Sequence, residues 1–177
     1  MSCAKATFLV GVTAVLVALV LLRSSSISRD DLKSALAGKV VLVCVASSGI
    51  GEQVARDLAS LGAWVIITAR REDKLEEVRR KMIAVNPEAK VGVLKCDFSD
   101  VSQSERVVGE AMKIFGRIDH LMINHGFATP GPFLATPSEQ NPDTYKRTFQ
   151  VNFFSFIQIA LSALEHLEEN SGHIIVM

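Results

Sequence analysis

The chain has 177 residues, room for one domain and a short appendage. Its 19 basic and 19 acidic residues cancel, and no basic cluster interleaves with aromatics, which argues against nucleic-acid binding. The cysteines (Cys3, Cys44, Cys96) are odd in number and widely spaced, and the histidines (His120, His125, His166, His173) lack ligand spacing, so neither a disulfide framework nor a metal site is expected.

Residues 6–22 read ATFLVGVTAVLVALVLL, with Lys5 before the run and Arg23 after it. As a helix they would span roughly 26 Å against roughly 30 Å of hydrocarbon. The run exceeds the apolar core of a cleaved signal, roughly 7–15 residues, and no small-x-small cleavage site follows. An uncleaved membrane anchor over residues 1–23 is therefore expected, with the membrane as partner through residues 6–22. Residues 24–38, SSSISRDDLKSALAG, read as a polar linker with a short amphipathic turn.

From Lys39 the pattern alternates. Lys39–Val45 is an apolar, β-branched run and predicts a buried strand. Ile50–Leu61 has helical spacing, with Val54, Ala55, Leu58 and Leu61 on one face, and Gly62 stops it. Ala63–Thr68 predicts a second strand, and Glu72–Val85 a charged helix ended by Asn86-Pro87. Lys90–Cys96 is a third strand, Val101–Phe115 a third helix closed by Gly116, and Ile118–Ile123 a fourth strand. A loop rich in Gly and Pro follows from Asn124 to Ser138. A long helix over Thr144–Leu167 and a strand beginning at His173 complete the pattern. Strand–helix alternation with fully apolar strands gives an α/β fold: a Rossmann-type, doubly wound parallel sheet over residues 39–177, incomplete at about five strands and preceded by the transmembrane helix.

The first strand ends abruptly in Ser47-Ser48-Gly49-Ile50-Gly51, and a helix opens there. Unpaired N–H groups at a helix start favour a pyrophosphate, and glycine lets the backbone approach it. At the end of the second strand Arg70 stands where an NAD site would carry an acid for the ribose 2′-hydroxyl. Its charge and fork geometry suit a 2′-phosphate instead, which points to NADP (NADPH) rather than NAD. Alternatively, Arg70 and Arg71 simply begin a solvated charged helix.

VxxSSGIGE at 43–52, the arginine after strand two, Cys96-Asp97-Phe98-Ser99-Asp100, Asn124-His125-Gly126 and Val151-Asn152-Phe153 occur in that order. Together they resemble the short-chain dehydrogenase/reductase family over about residues 38–177. The anchor followed by Leu-x-Gly-Lys, and Asn-His where most relatives have Asn-Asn, are similar to the membrane-anchored 11β-hydroxysteroid dehydrogenase-like branch. The resemblance implies an NADP(H)-dependent oxidoreductase interconverting an alcohol and a ketone on a small apolar, steroid-like substrate. It further implies a location in the endoplasmic reticulum membrane, and a homo-oligomer if the full domain is present. Carried over by position, Ser47, Ser48, Gly49, Ile50 and Gly51 would line the pyrophosphate, and Arg70 would meet the 2′-phosphate. Asp97 would hydrogen-bond the adenine with Phe98 beside it, and Asn124, His125 and Gly126 would close the site. Asn152 would be the catalytic helix asparagine, its backbone holding a water of the proton relay. The residues themselves leave other readings open. Asp97, Ser99 and Asp100 could cap the next helix. Asn124 could satisfy loop backbone groups, and His125 could be a packing or loop residue.

Two departures stand out. Cys44-Val45 replaces the family's Thr-Gly. If the turn requires a positive φ there, a β-branched valine is strained, and weakened cofactor affinity is expected. The second concerns the family's serine and Tyr-x-x-x-Lys, whose lysine lowers the tyrosine pKa for proton exchange. Met177 is reached before that serine would stand. The only tyrosine, Tyr145, is followed four places on by Phe149 and precedes Asn152. The 177 residues as written are therefore expected to bind nucleotide without completing hydride transfer. Alternatives are a truncated, non-catalytic, membrane-tethered nucleotide-binding or interaction protein, and a short form that does not fold stably.

Overall fold

The computed structural model describes residues 28–127 and 142–177. The expected anchor, and the Gly- and Pro-rich loop from residue 128 onward, lie outside these residues. Among the described residues no helix is long and apolar enough to cross a membrane. The chain divides into two units, Met1–Ser34 and Ala35–Met177.

Helix α1, Arg29–Leu36, occupies the segment read as linker with a short turn. A reciprocal cap explains it: Ser28 donates from its amide and hydroxyl to Asp31 Oδ2, and the Asp31 amide donates to Ser28 Oγ. Strand β1, Val40–Cys44, is buried along its whole length. Then come α2 (Gly49–Ser60), β2 (Trp64–Ala69), α3 (Glu72–Val85), β3 (Val91–Lys95), α4 (Val101–Phe115) and β4 (His120–Ile123). Gly62 lies at φ +86 just past α2, and Gly116 at φ +74 ends α4, so the left-handed stops are where glycine can make them.

All four strand pairings are parallel, in the order β3-β2-β1-β4-β5. Alternate β1 side chains face opposite layers. Val40, Leu42 and Cys44 pack with Val108 of α4 and with Ile159 and Ala163 further along the chain. Val41 and Val43 pack with Ala55 and Ala59 of α2 and with Leu75 and Val78 of α3. Helices cover both faces, which is why the strands read as continuous apolar runs rather than alternating ones.

The single helix expected over Thr144–Leu167 is three pieces. Helix α5 runs Pro142–Phe149, a π turn covers Gln150–Phe154, and α6 runs Ser155–Glu169. In the π turn the Ser155 amide reaches back to the Gln150 carbonyl. The Ser155 hydroxyl donates to the Val151 carbonyl at 2.7 Å and meets the His125 ring at 2.6 Å. These side-chain bonds supply the partners that let one turn widen. Strand β5, His173–Val176, pairs with β4 and is exposed on both faces.

The amino ends of β1, β4 and β5 are pinned by Asp119, whose side chain is 1% exposed. Its carboxylate accepts from the Val40 amide at 2.8 Å, from Lys39 at 3.2 Å and from Arg117 Nε at 2.9 Å. Its backbone amide donates to the Val40 carbonyl, and its carbonyl accepts from the His173 amide. Gly172 passes so close to the Asp119 carbonyl that any Cβ there would collide with it.

Candidate functional site

In a parallel sheet of this order the crevice opens beyond the carboxyl ends of the strands, where the connections after β1 and β4 diverge. Most of the residues expected to bind a ligand gather there. Ser48, the N-cap of α2, is extended at φ −171 and makes no side-chain cap bond. The first amides of α2 therefore have no side-chain cap, in contrast to α4, where Asp100 accepts from the Ser102 amide at 3.0 Å. Gly49 lies at φ +63, and nothing stands within 4 Å of where its Cβ would be. Gly51 is buried differently. A Cβ there would strike the Val45 carbonyl and come within 2.6 Å of the Asn124 amide nitrogen, so glycine is required for α2 to close on the strand. Ile50 is 61% exposed beside it.

Asn124 Nδ2 donates to the Val45 carbonyl at 3.3 Å, tying the end of β4 to the end of β1. Val45 itself has φ +56, the left-handed region expected for glycine, so the departure from the family turn is a strained one. Arg70, exposed at the end of β2, has no ion pair among the described residues.

Asp97 holds its own loop. Its Oδ1 accepts from the Ser99 amide at 3.0 Å and hydroxyl at 2.8 Å, while its amide donates to Gln103 Oε1. The capping role belongs to Asp100. Phe98 is buried and stacks on His125, with ring centroids 4.2 Å apart and planes 3° from parallel. Phe156 closes the other side of the imidazole edge-on, at 4.3 Å. Burial pushes the His125 pKa down to about 4, so the ring is neutral at ordinary pH. The Ser155 hydroxyl proton is directed to Val151, so His125 Nε2 acts as the donor to Ser155. Nδ1 is left without a partner. Asn152 sits in the π turn, and its amide side chain clamps the Phe127 backbone: Oδ1 accepts from the Phe127 amide at 2.7 Å, and Nδ2 donates to the Phe127 carbonyl at 2.8 Å.

Val45, Arg70, Asp97, Phe98, His125 and Gly126 border one cleft of about 90 Å³, together with Ser99, Phe127, Arg147 and Val151. Ser47 and Ser48 face a second cleft, of about 220 Å³, with Arg71, Lys74 and Lys81. Gly49, Ile50, Gly51 and Asn124 line neither cleft. Asn152 lines neither cleft but fixes Phe127, which lines the first. Sequence reasoning missed Arg147, whose guanidinium lies 4.8 Å over the Phe127 ring, and Ser155, which grips His125. The spacing of Val151 and Ser155, four apart on a helix, was the available signal for the latter. Cys44 and Cys96 are buried, and burial raises both thiols, Cys96 to about 12, so they behave as small apolar side chains.

A five-stranded parallel sheet in this order, with a glycine turn opening the first crossover helix, defines a Rossmann-type α/β domain. The family model described as short chain dehydrogenase matches residues 39–177, and the chain belongs to this family of oxidoreductases. Among curated relatives, a hydroxysteroid 11-beta-dehydrogenase 1-like protein of Gallus gallus is 38% identical over 142 residues, covering 80% of this chain and 48% of the relative. A short-chain dehydrogenase/reductase of unknown function from Caenorhabditis elegans, solved with cofactor, aligns with a TM-score of 0.72 at 29% identity, over 80% of this chain and 52% of that one. A metagenomic short-chain oxidoreductase in complex with NADP aligns with a TM-score of 0.72 at 30% identity, over 80% of this chain and 62% of that one. The chain spans about half the length of the curated relatives it matches.

Proposed function

We propose that the chain forms the NADP(H)-binding part of a membrane-tethered oxidoreductase that interconverts an alcohol and a ketone on a lipid-like substrate. The observation that carries this reading is the start of α2, with no side-chain cap, beneath the open face of Gly49, with Arg70, which has no ion pair among the described residues, at the end of the neighbouring strand. The residues fit such a group: donors without side-chain partners, an unobstructed backbone and a free guanidinium are what a pyrophosphate and a 2′-phosphate require. When bound, a nicotinamide supplies or accepts the hydride. In this reading Gly49 and the α2 amides would hold the pyrophosphate, Arg70 would take the 2′-phosphate, and Phe98 and Gly126 would border the adenosine. Asn152 of the π turn fixes Phe127, which lines the same cleft. The apolar run at 6–22 and the hydroxysteroid dehydrogenase relatives support the tether and the substrate class.

Titration of the full chain with NADPH and NADH, followed by cofactor fluorescence, tests the proposal. NADPH is expected to bind more tightly, and Arg70→Ala to weaken NADPH by about 10- to 100-fold with little change for NADH, the loss of a charge-assisted contact. Binding of neither cofactor would overturn the dinucleotide reading. An unchanged preference in Arg70→Ala would remove Arg70 from it.

A further inference from the structure

We infer that Val45 is an affinity-limiting residue of the nucleotide cleft, acting at its adenosine end through side-chain bulk while its backbone is held in strain. The inference rests on the dinucleotide reading above and deepens it. A β-branched residue at φ +56 is a genuine outlier, and such outliers persist only where the surroundings impose them. Here three neighbours do so. Asn124 holds the Val45 carbonyl, the next amide, of Ala46, donates to the Thr68 carbonyl at 2.9 Å, and Gly51 presses against the same carbonyl that Asn124 holds. The backbone therefore keeps a glycine-like course although the side chain opposes it. That side chain is partly buried against the cluster containing Cys44, Cys96 and Phe98, and the residue borders the cleft together with Arg70 and Asp97. In this fold the residue ending β2 meets the ribose, so the valine methyls stand at the ribose–purine end of the cleft.

Strain and bulk have separable consequences. Strain is present with or without ligand, so it lowers stability and leaves affinity alone. Bulk in the cleft lowers affinity. Val45→Ala removes the methyls but keeps a Cβ at positive φ; Val45→Gly removes both. The measurements are thermal unfolding without ligand, and dissociation constants for NADPH, 2′,5′-ADP and NMN, on the full chain and both variants. The expected result is that both variants bind NADPH and 2′,5′-ADP about tenfold more tightly with NMN unchanged, and that Val45→Gly melts above Val45→Ala. Equal affinities across all three chains overturn the role of the side chain. A glycine variant melting at or below the alanine one overturns the strained backbone. If no nucleotide binds to any of the three, the dinucleotide reading itself falls, an outcome distinct from equal, measurable binding.

Discussion

His125 shows how one buried ring can set an acid limit. Its ring is 3% exposed and its pKa is pushed down to about 4 by burial, against an ordinary value near 6.5. The unfolded chain takes up a proton below about pH 6.5 while the folded chain does not, so this stabilisation is complete above that pH and is lost as the pH falls toward 4. Between pH 7 and 5 the loss amounts to about 2 kcal/mol. His120, also lowered, by burial and then by the neighbouring His173, adds a contribution of the same sign. Urea midpoints at the two pH values are expected to differ less in His125→Gln than in the native chain, since glutamine keeps a donor for Ser155 and does not titrate. Identical pH slopes would exclude His125 as the source. None of this was legible in Asn124-His125-Gly126: the sequence places the histidine at a strand end, but only the packing of Phe98 and Phe156 decides that it is neutral and enclosed.

The helical elements and strands were largely legible because each has its own punctuation. Glu72–Val85 and Val101–Phe115 agree in full with the observed α3 and α4, ended by Asn86 and Gly116. The π turn was not legible. Gln150-Val151-Asn152-Phe153-Phe154 contains neither glycine nor proline, and the widened turn is imposed from outside by His125 and the Phe127 backbone. Asn152 is the element's outer clasp. Asn152→Ala removes two hydrogen bonds and is expected to cost about 1 kcal/mol, the bonds being exposed to water. Amide exchange at Phe127 should quicken by about fivefold while β1 amides keep their rates. A Phe127 amide as slow as in the native chain would show that the clasp carries no load.

The candidate cleft and the stabilising network lie at opposite ends of the strands. The carboxyl ends of the strands carry the glycine turn, Arg70 and the cleft. The amino ends carry Asp119, which joins β1, β4 and the entry to β5 through four bonding partners, Val40, Lys39, Arg117 and His173, with Gly172 passing close to its carbonyl. Burial works against its charge, but Arg117, the Val40 amide and Lys39 outweigh it and hold the carboxyl below its usual range. Asp119→Ala is expected to cost about 3–5 kcal/mol, the range for breaking a buried charged network. Scanning calorimetry should place its melting temperature about 10 °C below the native chain. A shift within a degree would mean that the neighbouring backbone bonds suffice. The parallel sheet was expected from the alternation, yet this pin was not, because Lys39, Arg117 and Asp119 are a distant and a local pair that only the parallel register brings together.

The strained turn also has a genetic meaning. Every valine codon becomes a glycine codon by one change at its second base. Gly51 and Asn124 already hold the backbone on the course a glycine would take. The chain therefore stands a single mutational step from an unstrained turn, with no second substitution needed to accommodate it. The strain in this turn can be relieved by a point mutation rather than by rebuilding the strand end.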